Sequence, residues 1–402
     1  MLLARCYANF YWLFKDVFHV DVPALNLVQT FGFFVALAFL TAALFLYTEL
    51  KRRERLGLFK PYQYMQTIGE PAKPLELILN FILGFIIGFK VVGVFMNMEE
   101  VMKNPQVWML STKGSLVGGI VFGAILSLQK WYEKHKERLP EPRKEMSTMW
   151  PHDMIGDIVL MAAIGGIGGA KLFYLFESPG NFTEFLKDPF GSFFGGLTIF
   201  GGIICGTIVV LSFARRRNIN MLQLCDAVAP TLLIALAVGR IGCQTAGDGD
   251  WGINNTFAKP GFLSWLPDWM WAYDYSHNVN RDGSGFVQGC HEAYCTYVIP
   301  PVFPTPIYEI IACTLLFILL WSLRKRIHAL GVMFSLYLFV SGIERITIEQ
   351  IRVNTKLNIL GIEATQAEII AVLFIIIGIA GMFIFTARYR KRLKEGAPAA
   401  AE

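Results

Sequence analysis

The chain has 402 residues, 54% of them hydrophobic and 14% aromatic, with only 17% charged. Its net charge of +5 arises from 36 Lys and Arg against 31 Asp and Glu, too even a balance for the basic footprint of a nucleic-acid binder. Apolar runs of roughly 18 residues or more tile nearly the whole length. This excludes a soluble multidomain protein and predicts a single all-α polytopic membrane domain over residues 1–402.

In chain order, residues 1–24 lack the basic, apolar, small-residue sequence of a cleaved signal peptide. Tyr7, Phe10, Tyr11, Trp12 and Phe14 instead predict an interfacial segment before a retained first span. Nine spans are predicted, near 27–48, 75–97, 114–129, 154–176, 193–213, 222–239, 302–323, 329–350 and 365–387. Of the 36 Lys and Arg, 23 follow odd-numbered spans, nine lie on the opposite side and four sit within or at the ends of spans. The positive-inside rule then puts the N-terminus outside and the C-terminus in the cytoplasm. The longest extramembrane segment, 245–300, faces outward as a periplasmic head or loop region. Its Trp251, Trp265, Trp269, Trp271, Tyr273 and Tyr275 predict an aromatic belt at the headgroup level. Cys290 and Cys295 share this loop and can pair if it meets an oxidising compartment. The other five cysteines have no zinc spacing and, Cys243 apart, read as apolar fillers.

Two hairpins look alike. Gly84 to Lys90 resembles Gly165 to Lys171, an offset of 81 residues. Each is followed by an acidic loop, an Asn104-Pro105 or Asp188-Pro189 step, and a glycine-rich helix start at Gly114–Gly119 or Gly195–Gly202, where the offset is 83. Residues 75–135 are therefore expected to be an extra hairpin resembling 154–217. Lys90 and Lys171 become matched intramembrane cations, each either a snorkelling anchor or a partner for anionic lipid.

The sixth span ends in Gly239-Arg240-Ile241-Gly242 and runs on to Gly247-Asp248-Gly249-Asp250-Trp251-Gly252. An arginine at a span end costs free energy unless an anion or carboxylate answers it. Flanking glycines let the backbone approach a bound group. The expectation is an anion site at the membrane interface, with phospholipid phosphate as its ligand. Other intramembrane charges are few: Asp226 early in span six, Glu309 after Tyr308 in span seven, and Glu344, Arg345 and Glu349 in span eight, with Arg352 just beyond. Spacings of four and three put Arg345, Glu349 and Arg352 on one helical face. Arg240 and Arg345 are the expected phosphate clamp, since guanidinium binds phosphate bidentately; the competing reading is internal salt bridges alone. Glu309 and Glu344 are expected as structural partners. Gly195, Gly196, Gly201 and Gly202 either pack spans together, the leading reading, or offer N–H groups to an anion. No nucleophile triad, metal cluster or nucleotide loop stands out, so neither metal nor cofactor is expected.

These stretches together resemble the prolipoprotein diacylglyceryl transferase family of bacterial membrane enzymes. The resemblance rests on Gly239-Arg-Ile-Gly with Gly-Asp-Trp-Gly252, on Gly195-Gly-Leu-Thr-Ile-Phe-Gly-Gly202, on Phe303-Pro-Thr-Pro-Ile-Tyr-Glu309, on Arg345, Glu349 and Arg352, and on Asp226-Ala-Val-Ala-Pro230. It covers 154–390 well and 25–48 weakly. It implies seven spans with the same orientation, so that nine equals seven plus the extra hairpin. It also implies transfer of diacylglyceryl from phosphatidylglycerol to the lipobox cysteine thiol of a preprolipoprotein signal peptide, in the bacterial inner membrane with the site toward the periplasm. Glycerol phosphate is released; the partners are membrane lipids and that peptide, with no nucleic acid. Carried over, Arg240 and Arg345 are catalytic. Gly239, Gly242, Asp250, Gly252, Glu349, Arg352, Tyr308, Lys171, Gly201, Gly202 and Asp226 bind substrate. Phe200 and Phe303 stand where the family often has histidine, and Cys243-Gln244 where many members have Asn-Phe. Lowering of the thiol pKa by the arginines is the leading account of thiol activation, Asp248 or Asp250 as base the second, and Cys243 as a covalent nucleophile the third. The competing functions are a non-catalytic phospholipid- or lipoprotein-binding scaffold and a small-anion transporter.

Overall fold

The computed structural model describes residues 5–103, 108–109, 111–177, 179–187, 198–290, 293–354, 356–359 and 362–395. In chain order these form α1 (Phe10–Phe18), α2 (Thr30–Arg55), β1 (Tyr62–Ile68), α3 (Pro74–Met96), α4 (Met98–Lys103), α5 (Leu116–Lys136), β2 (Arg143–Met149), α6 (Ile155–Glu177), α7 (Pro179–Lys187) and α8 (Ile199–Arg216). Then follow α9 (Met221–Ala246), β3 (Gly285–Phe286), β4 (Thr296–Tyr297), α10 (Thr305–Leu323), α11 (Val332–Glu349), β5 (Lys356–Ile359), β6 (Ile362–Thr365) and α12 (Gln366–Lys394). Among the described residues six helical stretches are long and apolar enough to cross a membrane: α2, α3, 151–177, α9, α10 and α12. The predicted spans near 114–129, 193–213 and 329–350 fall on α5, α8 and α11, helices of 21, 18 and 18 residues. The protein is thus a mostly helical membrane protein with three two-stranded antiparallel ribbons that the sequence reading did not anticipate.

The chain divides into two units, Pro61–Phe213 and the remainder. In the first, β1 pairs with β2 from Tyr62↔Met149 to Ile68↔Arg143, closing the base of the α3–α5 hairpin. Glycine lets these helices touch through backbone: a Cβ at Gly118 would lie 2.6 Å from the Gly88 carbonyl oxygen. The α6–α8 pair repeats the contact, and a Cβ at Gly201 would lie 2.5 Å from the carbonyl oxygen of Gly169. The Ser115 N–H donates to the Phe89 carbonyl at 2.9 Å, and the Thr198 N–H to that of Ala170 at 3.1 Å. Lys90 donates to the carbonyls of Trp108 (3.1 Å), Ser111 (2.5 Å) and Lys113 (2.9 Å), so its charge is held by protein. Lys171 is buried, over the rings of Tyr174 (4.7 Å) and Phe185 (5.5 Å). Asn104-Pro105, Asp188-Pro189, Gly195 and Gly196 lie outside the described residues.

The second unit is built around α9, which packs against α2, α10 and α11, while α12 packs on α11. Ala229, Leu233 and Ala237 of α9 meet Cys313, Phe317 and Leu320 of α10 and Met333 of α11. Phe45 of α2 closes this core edge-on to Phe317 and Trp321. The N-terminal segment is threaded beneath the 245–300 region: the Cys6 N–H donates to the Ser276 carbonyl (2.7 Å) and the Tyr7 N–H to that of Thr245 (2.6 Å). Tyr273 and Tyr275 are 4% and 0% exposed and form a core with Cys6 and Val302. This corrects the belt reading for those two tyrosines. A ring with no accessible surface cannot lie among headgroups, whereas Trp265, 76% exposed, can. Cys290 and Cys295 form a disulfide.

Gly118→Val should destabilise the first unit by about 1–3 kcal/mol, since no side chain fits against the Gly88 carbonyl. Gly156→Ala should be neutral or slightly stabilising, because no atom lies within 4 Å of the added Cβ. Thermal unfolding of the two variants in detergent measures the contrast.

Candidate functional site

The site starts at the end of α9. Gly247, at φ +64°, closes the helix in the left-handed conformation that glycine adopts without a Cβ penalty, and its N–H donates to the Cys243 carbonyl. The chain then turns through Gly249 (φ +92°) into an extended run. There Gly252 bridges Arg352, its N–H donates to the Phe303 carbonyl (2.8 Å), and Ile253 N–H donates to that of Ile351 (2.8 Å). A Cβ at Gly252 would lie 2.9 Å from Phe303 Cβ and 3.0 Å from Thr305 Cγ2, so only glycine lets the three segments lie side by side. Thr305 Oγ1 fixes the loop by donating to the Asp250 carbonyl at 2.8 Å.

This backbone brings three arginines onto three carboxylates. Glu309, on the first turns of α10 and 2% exposed, is ion-paired to Arg240 of α9, accepts from Arg352 at 3.2 Å, and has Arg345 of α11 at 4.0 Å. Asp250 offers one oxygen to Arg240 and the other to Arg352. Glu349 forms an ion pair with Arg345 (3.0 Å) and accepts from Asn354 (2.5 Å) and Thr365 (2.7 Å). A buried cation without such partners costs several kcal/mol, so each carboxylate is required by the arginines it faces. The three guanidiniums differ in freedom. The Arg352 and Arg240 side chains are 9% and 11% exposed and doubly paired, whereas Arg345 is 30% exposed and tied closely only to Glu349. Arg345 is therefore the cation with donors to spare for an incoming anion.

Of the residues expected from sequence, Arg240, Asp250, Gly252, Glu349, Arg345 and Arg352 meet here. One expectation needs correction. Arg352 does not share a helical face with Arg345 and Glu349, because α11 ends at Glu349 and a turn carries Arg352 onto the Gly252 strand. Asp226 stands near the opposite end of α9, about 21 Å along the helix from Arg240 at ~1.5 Å per residue. It caps α11 instead, accepting from the N–H groups of Gly331 (2.7 Å) and Phe334 (2.8 Å), because Gly331 has no side chain to do so. Gly242 makes its close approach to Phe31 and Phe34 of α2, while Gly239 has open space where a Cβ would be. Tyr308 donates its hydroxyl to the Met270 carbonyl (2.8 Å), tying α10 to the 245–300 region. Lys171, Gly201 and Gly202 belong to the other unit, where a Cβ at Gly202 would lie 3.0 Å from the Gly166 carbonyl oxygen. The sequence reading missed Thr305, Asn354 and Thr365, each a common polar residue that carries no spacing signal.

The family model described as prolipoprotein diacylglyceryl transferase matches residues 137–384. The chain belongs to this family. Proteins named phosphatidylglycerol–prolipoprotein diacylglyceryl transferase are similar to it. The one from Clostridium tetani is 32% identical over 245 residues, 60% of this chain and 83% of that protein. The one from Streptococcus equi subsp. zooepidemicus is 29% identical over 257 residues, 62% and 83% of the two chains. The one from Bifidobacterium adolescentis is 29% identical over 219 residues, covering 52% of this chain and 60% of that protein. The transferase match takes in the whole arginine cluster and begins one residue after Lys136, where α5 ends. The α3–α5 hairpin thus lies outside the family's matched region.

Glu309→Gln removes the anion shared by three guanidiniums and should destabilise the protein by about 3–5 kcal/mol. Asp226→Ala removes a cap and should cost about 0.5–2 kcal/mol while leaving phosphatidylglycerol binding per folded molecule unchanged. Unfolding midpoints and a lipid-binding isotherm separate the two effects.

Proposed function

We propose that the arginine cluster binds the phosphodiester of phosphatidylglycerol and that the protein transfers its diacylglyceryl group to the thiol of a lipobox cysteine. The observation that carries the assignment of the site is the convergence of Arg240, Arg345 and Arg352 on Glu309, with Arg345 the least committed of the three. The lipid phosphate takes the outer donors of Arg345 first and then shares Arg240 with Asp250. When the glyceryl carbon–oxygen bond breaks, the phosphate gains a second negative charge. Guanidiniums already fixed by Glu309, Asp250 and Glu349 stabilise that charge without reorganising. Gly252 and Thr305 hold the loop, and Tyr308 keeps the 245–300 region over it.

The proposed setting is nine spans with the N-terminus outside and the C-terminus in the cytoplasm of the inner membrane. Three features support it: the charge alternation, the helices found at all nine predicted positions, and a disulfide in the loop assigned to the oxidising side. Residues 75–135 are proposed as a repeat of 154–217. In both hairpins the glycine-to-carbonyl contacts and the Ser115 or Thr198 hydrogen bond recur at the same offsets of 81 and 83 residues.

The test is reconstitution with phosphatidylglycerol and a lipobox peptide, reading the mass gain of one diacylglyceryl group. Arg240→Ala and Arg345→Ala should each lower turnover by about 10²–10³-fold, the range for loss of one preorganised donor. Wild-type protein that forms no adduct where a known transferase does would overturn the reading.

A further inference from the structure

Two carboxylates follow α9 within three residues of each other, and their surroundings differ. Asp250 has both oxygens engaged, one by Arg240 and one by Arg352, so its charge is spent and its position fixed. Asp248 is half-buried and, among the described residues, has no cation within ion-pair distance; its carboxylate accepts from the Asp250 N–H at 3.3 Å and is hydrogen-bonded to the Cys243 thiol. The Cys243 sulfur and the nearer oxygens of both carboxylates lie within 4.8 Å of one another, with the sulfur 3.8 Å from Asp250 and 3.8 Å from Arg240. A thiol is therefore already accommodated between these carboxylates and the guanidinium. Two arginines on Asp250 oppose a metal ion there and leave proton transfer as the chemistry the group can perform.

Asp248 is also held in place. The glycines on either side have positive φ, and a Cβ on Gly247 would lie 2.7 Å from Cys6 Sγ, one on Gly249 2.5 Å from Asn280 Nδ2. Asn280 donates to the Asp248 carbonyl at 2.8 Å. Burial pushes the Asp248 carboxyl above the usual carboxylate range and the neighbouring Asp250 charge adds to that, while the hydrogen bonds from the Cys243 thiol and the Asp250 N–H, and the Arg240 charge, act against it. Cys6 and Tyr275, from the N-terminal segment and the 245–300 region, also face it.

We propose that Asp248 is the proton acceptor for the incoming cysteine thiol, while Asp250 serves as a fixed strut between Arg240 and Arg352. This rests on the transferase reading and departs from the expectation that the arginines alone ionise the thiol. Those arginines are already neutralised by Asp250, Glu309 and Glu349, which leaves little net field to lower a thiol pKa. The step balances: the S–H proton moves to an Asp248 oxygen, the sulfur pair forms the bond to the glyceryl carbon, and that carbon's bond to the phosphate oxygen breaks with its electron pair. The proton then leaves Asp248 for glycerol phosphate or solvent, and no oxidant, reductant or metal is needed.

The experiment compares a cysteine lipobox peptide with its selenocysteine counterpart, whose selenol is ionised at neutral pH and needs no base. Asp248→Asn should lose about 10²–10⁴-fold in turnover with the cysteine peptide. It should bind phosphatidylglycerol within twofold of wild type and recover to within about tenfold of wild type with the selenocysteine peptide. Asp250→Asn should instead weaken lipid binding and not be rescued. The conservative Asp248→Glu, which keeps a carboxylate, should retain part of the thiol reaction and serves if the amide variant does not fold. Three results overturn the proposal: Asp248→Asn turning over the thiol peptide within threefold of wild type, Asp248→Asn binding lipid normally yet inactive with both peptides, or a folded Asp248→Glu with no thiol activity. Wild-type protein inactive with both peptides sinks the transferase reading instead, so the two failures are distinguishable.

Discussion

The buried carboxylate of Glu309 is the contact on which the C-terminal ends of α9 and α11 and the N-terminal end of α10 depend. Its side chain is 2% exposed and faces three guanidiniums that enter from different parts of the chain. A carboxylate so placed is stable only because cations surround it, and those cations are tolerated at the end of membrane helices only because it is there. The dependence extends outward. Arg352 reaches Glu309 because its segment bridges Gly252, and Gly252 lies there because the loop after Gly247 turns back over α10.

The other end of the same helices carries a second charged knot with a different consequence. Glu49 of α2, 1% exposed, accepts from Arg52 and Arg53 on its own helix and lies 3.2 Å from Arg324 after α10. Arg53 also donates to Gln223 of α9 at 2.9 Å, and Asp226 caps α11 close by in sequence. Arg52 and Arg53 lie in the last turn of α2 and Arg324 directly follows α10, where cations also answer the negative helix ends. Among the described residues the Glu49 knot joins helix ends, without an extended, glycine-turned loop such as the Glu309 knot supports. Two clusters of similar composition therefore differ in the backbone around them, and only one has a strand-like loop delivering extra carboxylates to its arginines.

Much of this was legible in the sequence, for identifiable reasons. Long apolar stretches can do little in water or lipid but form helices, so element positions followed from hydropathy. Arg240, Glu309, Arg345 and Glu349 stood out because charge within a span is rare. Contacts made by backbone or by ordinary polar residues were not legible. Nothing about Asp226 distinguishes a carboxylate that caps a neighbouring helix from one that faces a ligand; the missing side chain at Gly331, about a hundred residues away, decides it. Arg352 was assigned to the α11 face by its spacing, but spacing does not reveal that the helix stops at Glu349. Tyr273 and Tyr275 looked interfacial because their burial depends on Cys6 at the far end of the chain.

The balance of charge in the Glu309 cluster bears on what it offers an anion. Three arginines against Glu309, Asp250 and Glu349 leave no net charge, so a phosphodiester is not drawn in by a large field. It must compete with a carboxylate for guanidinium donors. Such competition favours the least committed cation, Arg345, whose contact to Glu309 is 4.0 Å and whose side chain is 30% exposed. It disfavours release of Arg352, which is clamped by two carboxylates and 9% exposed. A monoanionic diester gains little by such an exchange, whereas a departing phosphate with a second charge gains more, because each hydrogen bond from a fixed guanidinium strengthens as the acceptor's charge grows. Neutral pairing thus weakens ground-state binding more than it weakens stabilisation of the developing dianion, which is the inequality a transferase requires.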